Sequence, residues 1–443
     1  MTSGDAPLSQ RAIFKFFSPL ALSWIFMAIE GPIAAFVLSH FANPKVQTAG
    51  FQVMFAFALF IESPVIDLLA TSTTLSSNRN AYHQIRNFSL KVMFLASGVH
   101  ALFCLTPLFD MVALGGLRLP VPVAEAARAG LIIMIPWSAC IGWRRHLQGL
   151  LIRQGKTVWV GLGTAIRLST MAGVALYLSH FGTGLSGIQV AASALMASVF
   201  LEAVAVHFAS RSVVRTIESI EPETEDHLSQ RRLAAFHFPL TATTMVGFIA
   251  LPSFSWSLAQ APNGVTALAA FQVSSSLQFL FRAAPYALPE AIISLGRVRE
   301  RWPALRTFAL RAGLVCSAAA AIVSFSGLSD WFFRSVIGAQ PEVADGATLA
   351  LQVSTILPIL IALQSYCRGM LTLHRFTTTR LAATAIGIVT LVVLLATAVS
   401  MRLPGVLSAM AAQSIAMGAE LTVLYLSWRT IRQKSVGPAE QLA

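Results

Sequence analysis

Apolar residues in this sequence fall in blocks of roughly 20 to 30, separated by short polar stretches. About 20 apolar residues wound as a helix, at ~1.5 Å each, cross the ~30 Å hydrocarbon layer of a bilayer. A helix does this one segment at a time without leaving backbone groups unpaired in lipid. The pattern predicts twelve membrane helices, at 14–39, 47–77, 88–114, 126–152, 158–180, 185–209, 235–260, 265–296, 306–329, 343–373, 379–401 and 404–428. The second, eighth and tenth are long for a single crossing, an excess that tilt or overhang absorbs. A short polar tail precedes a full-length first span, so no cleavable leader is expected.

Composition sharpens this. Of 443 residues, 56% are hydrophobic and 11% charged, where a soluble domain carries about 25% charged residues. The net charge of +12 has a topological cause. Arg11 and Lys15 precede the first block. Arg79, Arg86, Arg153, Lys156, Arg211, Arg215, Arg231, Arg232, Arg297, Arg299, Arg301, Arg306, Arg375 and Arg380 fill alternate loops, and Arg429, Arg432 and Lys434 follow the last block. The other loops hold Lys45, Arg118, Arg334 and Arg402. Basic residues stay on the cytoplasmic side, so both termini are expected there, in an inner (plasma) membrane. An even number of spans follows, and the basic excess needs no nucleic-acid partner.

The chain also repeats itself. When the sequence is laid over itself so that Pro19-Leu20 falls on Pro239-Leu240, the same ungapped offset brings Pro32 onto Pro252 and Phe51-Gln52-Val53 onto Phe271-Gln272-Val273. It also brings Leu75 onto Leu295, Gly149 onto Gly369, Leu151 onto Leu371 and Thr157 onto Thr377. Between the halves lies a charged stretch from Arg211 to Arg232, with Glu218, Glu221, Glu223, Glu225 and Asp226. The expected organisation is an N-terminal lobe at 1–217, a linker at 218–234 and a C-terminal lobe at 235–443, forming two pseudo-symmetric six-helix bundles. Parallel duplication of this kind is a carrier's architecture, with substrate held between the repeats.

Charge at mid-membrane costs ~2.5–3.5 kcal/mol on insertion scales and so asks for a reason. The mid-depth acids are Glu30, Glu62, Asp67, Glu202, Glu290 and Glu420, and the bases are Arg144, Arg145, Arg167, Arg282 and Arg368. The near balance leaves two readings open, pairing across helices or a transport site. In span two, Pro64 deprives the Phe60 carbonyl of its donor, so the helix is expected to open beside Glu62, with Asp67, Thr71 and Thr74 on one stripe. In span eight, Gln278, Arg282, Tyr286 and Glu290 recur every four residues, interrupted by Pro285 and Pro289. The repeat sets Arg282 opposite Glu62, which makes a gate ion pair one expectation. Glu30 stands before Gly31-Pro32, where the second half has Ala250 before Leu251-Pro252. Glu30, Glu62 and Asp67 are therefore candidates for a coupling H+ or Na+. Arg144, Arg145, Arg282 and Arg368, with Gln278, Tyr286 and Glu290, are candidates for substrate binding or gating. Forked guanidinium bonds suit a carboxylate or phosphate, while salt bridges from the arginines to Glu202 or Glu420 are the alternative.

Cys104, Cys140, Cys316 and Cys367 lie in apolar blocks with no CxxC pair, which reads as buried thiols. No HExxH, GxxxxGK[ST] or GxSxG arrangement is present. No catalytic residue, metal or cofactor is expected, which weighs against a membrane-embedded enzyme.

The run Gln148-Gly149-Leu150-Leu151-Ile152-Arg153-Gln154-Gly155-Lys156-Thr157 ends span four. With the six-plus-six repeat, it resembles the multidrug and toxic compound extrusion (MATE) proteins of the multidrug/oligosaccharidyl-lipid/polysaccharide (MOP) flippase superfamily. Ser63-Pro64-Val65-Ile66-Asp67, Ala284-Pro285-Tyr286-Ala287-Leu288-Pro289-Glu290, Leu371-Thr372-Leu373-His374-Arg375 and Gly418-Ala419-Glu420 are similar, within it, to the progressive ankylosis family. The resemblance implies an all-α, MATE-like membrane protein, acting as a monomeric secondary transporter that exports by alternating access. For the ankylosis branch it implies small organic anions such as citrate, pyrophosphate or nucleotides. A lipid-linked flippase and a cationic multidrug exporter are the alternatives.

Overall fold

The computed structural model describes residues 8–156, 158–182, 184–221, 228–374 and 376–434. The expected loop base Arg375 and the acids Glu223, Glu225 and Asp226 of the linker lie outside the described residues.

The described chain is built of helices. They are α1 (Gln10–Ser39), α2a (Pro44–Ile66) with α2b (Leu68–Leu75), α3 (Arg79–Leu105), and α4a (Val121–Ile133) with α4b (Trp137–Arg153). Then come α5 (Val158–Phe181) and α6 (Gly187–Glu218). The second half contains α7a (Gln230–Phe248) with α7b (Ala250–Ala259), α8a (Gly264–Tyr286) with α8b (Leu288–Leu295), and α9 (Trp302–Phe325). It ends with α10a (Pro341–Val353) and α10b (Leu357–Leu373), α11 (Thr377–Ser400) and α12 (Gly405–Lys434). Eleven are long and apolar enough to span a bilayer as they stand, and α4a with α4b, bent by 49°, makes a twelfth. The chain is a multi-pass helical membrane protein.

The repeat is structural as well. The break at Asp67 and the bounds of α2a and α2b coincide, at the offset of the sequence repeat, with the break at Ala287 and the bounds of α8a and α8b. Short π-helical turns, Met111–Gly116 and Phe332–Val336, close α3 and α9 in the same way. Arg118 and its repeat counterpart Gly338 both take positive φ, 51° and 75°.

The span-two break lies beyond the expected opening, after Ile66 and not at Pro64. Pro64 is accommodated inside α2a because the Ser63 hydroxyl donates to the Phe60 carbonyl at 2.7 Å. The orphaned acceptor is satisfied, so the helix runs on to Ile66. At the break, His237 of α7a donates through Nε2 to the Pro64 carbonyl at 2.8 Å, and its Nδ1 lies 3.0 Å from the Thr71 hydroxyl.

The apolar core is divided into clusters. One cluster runs across both halves, taking in Phe51, Phe57, Phe109 and Trp137 from the first and Phe254, Leu268, Phe271 and Phe333 from the second. A second cluster, with Leu288, Leu305, Met370 and Trp428, belongs to the second half but includes Ile13, Phe17 and Ala21 from the start of α1. A third, with Tyr82, Leu147, Leu150 and Val213, belongs to the first half alone. The start of α1 and the end of α12 share this second cluster, through Ile13, Phe17 and Trp428, so these two helix ends lie on one face, hereafter the near face. The first cluster joins the halves near that face as well, through Ala81 and Ile85 beside Leu228 and Leu233, while the third lies within the first half.

Candidate functional site

Sequence places charges at mid-depth, and packing decides which neutralise one another. In the first half, Arg144 on α4b donates to Glu202 on α6 at 2.7 Å, and Gln148 one turn later donates to the same carboxylate at 3.3 Å. Arg167 on α5 donates to Glu30 on α1 at 2.6 Å and stands 3.9 Å from Glu202. All four charged groups are buried. In so dry a setting the pairs persist because removing either partner strands a charge. Glu30 keeps one carboxylate oxygen, Oε1, buried without a partner among the described residues.

Glu62 is buried too, yet no cation among the described residues lies at ion-pair distance; the Trp137 indole N–H donates to it. The expected Glu62–Arg282 gate pair does not form. Arg282 donates instead to Gln278 on its own helix at 2.7 Å. The repeat makes the two positions equivalent in their halves, but equivalence does not bring them into contact, and Trp137 already occupies the carboxylate.

The second half has a corresponding cluster. Arg368 donates to Glu420, Gln364 donates to it at 3.4 Å, and Thr384 donates to it at 2.9 Å. Arg144 and Arg368, expected among the substrate-binding groups, are thus each committed to a glutamate within their own half.

Arg145, Arg282, Asp67, Glu290 and Tyr286 remain. Asp67 accepts from Thr244 of α7a at 2.9 Å. Glu290 is exposed, and Asp67, Arg145, Arg282 and Tyr286 are half-buried. Tyr286 packs against Trp24 of α1, ring centres 5.5 Å apart. Arg145 makes no ion pair among the described residues, but it lies within electrostatic reach of Glu62, Asp67 and Glu290. Its field on Glu290 crosses from the first half to the second. Thr244 to Asp67, Trp24 to Tyr286 and the field of Arg145 on Glu290 each join one half to the other. Along α8, Glu290 sits about 7 Å and Arg282 about 20 Å from the near-face end at Leu295, at ~1.5 Å per residue.

The halves also meet at the far face. Lys45 pairs with Glu342 across the halves, and Gln260 donates to the carbonyls of Leu117 and Arg118 at 3.0 and 3.4 Å. A side chain added at Gly338 would meet the His40 ring at 3.0 Å. At mid-depth, α1 and α8a approach so closely that a Cβ on Gly31 would come within 3.0 Å of Ser276.

Among the described residues no group of three or more His, Cys, Asp or Glu is placed to hold a metal ion. The four cysteines are unpaired.

Several participants were not singled out from sequence. Trp137, His237 and Thr244 gave no signal, since an aromatic or hydroxyl residue in an apolar block is ordinary. Arg380, which donates to Thr372 at 2.8 Å and feels both Asp67 and Glu420, reads from sequence as a loop base.

Neither a protein-family model nor a curated protein matches this sequence. Solved structures do. An inward-facing multidrug resistance MATE family transporter of the MOP superfamily superposes with a TM-score of 0.71 over 94% of this chain and 96% of its own, at 13% identity. The fold is the MATE fold. The outward-facing form of such a transporter gives 0.66 over 98% of this chain and 99% of its own, at 14% identity. The lipid II flippase MurJ, inward closed, gives 0.65 over 93% and 87%, at 14% identity.

Proposed function

We propose that this chain is a secondary active transporter that exports a small organic or phosphate-containing anion by alternating access, with lobes 1–217 and 235–443 rocking about the linker 218–234. The observation that carries this is a pair of mid-depth arginines, one on each lobe, without an acidic partner at ion-pair distance among the described residues. In this reading Arg145 and Arg282 flank a near-face cleft between the lobes, while Arg144, Arg167 and Arg368 are taken up by glutamates. An anion entering the cleft meets both guanidiniums. It gains most when the lobes close around it, which is the differential affinity a conformational change requires. Closure at the near face loosens the far-face seal of Lys45, Glu342 and Gln260.

Under this proposal the near face is cytoplasmic, as the loop arginines indicate, and the cleft is the loading state. Glu30, Glu62 and Asp67 are the coupling groups for H+ or Na+. Among the described residues Glu62 has only an indole N–H, Asp67 one hydroxyl, and Glu30 a free oxygen, so each can accept a cation without first breaking the Arg144–Glu202 pair. Similarity to the ankylosis family supports an anion. One fold neighbour, from Pyrococcus furiosus, is described as having a binding pocket of reverse polarity that suggests a different function; pocket polarity is thus the variable to test here.

The test is transport by the purified protein in liposomes under imposed proton or sodium gradients, with citrate, pyrophosphate and a cationic dye compared. Gradient-driven movement of an anion is expected. Movement of the dye with neither anion would overturn the reading in favour of a cationic drug exporter. Movement of a fluorescent lipid-linked pyrophosphate alone would favour a flippase.

A further inference from the structure

Away from the proposed cleft, α9, α10b and α12 of the second half enclose two adjoining hollows of about 340 and 330 Å³ at the near face. They share Arg306, Tyr366 and Arg432, and the second continues down α12 past Arg429 to Tyr425, Leu426 and Leu421. From Arg432 to Leu421 is about 16 Å of helix, charged at the top and apolar below. The floor is aromatic and buried: Trp302 and Trp428 meet edge to face with centres 5.2 Å apart, with Tyr366 beside them. The rim arginines Arg306, Arg429 and Arg432 are exposed and make no ion pair among the described residues. Tyr425 and Leu426, 45% and 53% exposed, turn outward on the same stretch of α12.

We infer that this groove binds an anionic phospholipid, its phosphate held by Arg306, Arg429 and Arg432 and its acyl chains lying along Leu421, Tyr425 and Leu426. The order of groups down the helix follows the order of groups in a lipid. A basic hollow between membrane helices at one face is the kind of site that takes lipid headgroups, and aromatic side chains with a polar edge suit that depth. The fold itself does not demand it. Glu202 and Glu420 are equivalent in the two halves, and at the offset that superposes them Trp428 and Arg432 correspond to Ser210 and Val214, which bring neither ring nor charge. Arg429 and Arg306 have basic counterparts in Arg211 and Arg86, so what the second half adds is the Trp428 floor and Arg432, and the groove does not depend on which solute the cleft carries.

The test is native mass spectrometry of the full chain released from mixed phosphatidylglycerol and phosphatidylcholine nanodiscs. A groove variant, R306Q/R429Q/R432Q, is compared with R11Q/R79Q/R231Q, which removes the same charge from exposed positions elsewhere on the same face. The groove variant is expected to retain phosphatidylglycerol at least about tenfold less well, and the control within about twofold of the parent. Phosphatidylcholine retention is expected to be equal in all three. Equal loss of phosphatidylglycerol in both variants, or loss in neither, would overturn the site. Displacement of the lipid from the parent by millimolar inorganic phosphate would also overturn it, by showing a phosphate site in place of a lipid groove. Monodisperse elution of each variant establishes that the fold is retained.

Discussion

Glu202 and Glu420 stand at equivalent points of the two halves, and each accepts from one arginine and one glutamine a helical turn apart. The order of those donors is reversed. Arg144 precedes Gln148 in α4b, whereas at the repeat-equivalent positions of α10b Gln364 precedes Arg368. The buried carboxylate therefore needs one guanidinium on that helix face, and either of two successive turns can supply it.

This leads to a rescue experiment. R144Q leaves Glu202 with Arg167 at 3.9 Å as its remaining cation and is expected to destabilise the protein by about 3–5 kcal/mol, the cost of stranding a buried charge. Adding Q148R restores the arrangement of the second half, and most of the loss is expected to return. Thermal unfolding in detergent measures both. A double variant no more stable than R144Q would show that the halves are not interchangeable here.

Ser63 carries a separate prediction. Its hydroxyl is the group that satisfies the Phe60 carbonyl freed by Pro64, and Ser63 itself is buried. S63A leaves that acceptor unpaired, at a cost of about 1–3 kcal/mol. S63A/P64A restores a backbone donor to the same carbonyl, and its stability is expected to approach the parent's. If S63A unfolds at the parent's temperature, the hydroxyl is not what lets α2a run on to Ile66.

How far the sequence carried can be judged at these positions. Twelve spans were legible because lipid permits only one spanning solution for such blocks, and the internal repeat was legible because equivalent prolines and glycines meet the same backbone constraints in each half. The charges were visible as costs, and the alternative of salt bridges to Glu202 and Glu420 holds for Arg144 and Arg368, but the pairing of Glu30 was not legible. Arg167 finds Glu30 137 residues away, and nothing in either segment encodes that meeting. The repeat suggested Glu62 with Arg282, and the structure gives Glu62 to Trp137. Symmetry relates the environments of two residues without placing them in contact. The break at Asp67 was misplaced because a local hydroxyl competed with the proline's effect.

The proposed far-face seal gives a conformational prediction. Lys45 and Glu342 are paired across the halves and partly exposed, so the pair itself contributes little, well under about 1 kcal/mol. K45E alone is expected to leave stability unchanged while putting two like charges at the seal. A K45C/E342C double variant, cross-linked by a short bifunctional thiol reagent after the four native cysteines are replaced, holds the far face shut. Transport is then expected to stop, and to recover when a cleavable linker is cut. Undiminished transport through the cross-linked protein would mean that the far face does not open at this point.

The sign of the proposed cleft can be tested at Glu290. This exposed carboxylate on α8b lies in the field of Arg145 on the opposite half, so it competes with an incoming anion for that guanidinium. If the cargo is an anion, E290Q removes a competitor. The apparent KM for the transported anion is then expected to fall by about two- to fivefold, the scale of a modest electrostatic gain in a wet cleft. R145Q and R282Q are expected to raise it by at least about tenfold each, as lost charge-assisted contacts. If the cargo is a cation, all three signs reverse, because Glu290 becomes the attracting group and the arginines the repelling ones. Measuring the three variants against citrate, pyrophosphate and a cationic dye in the same liposomes separates the cases. Parallel losses for all three variants on every substrate would indicate a structural network and would remove Arg145 and Arg282 from the binding site.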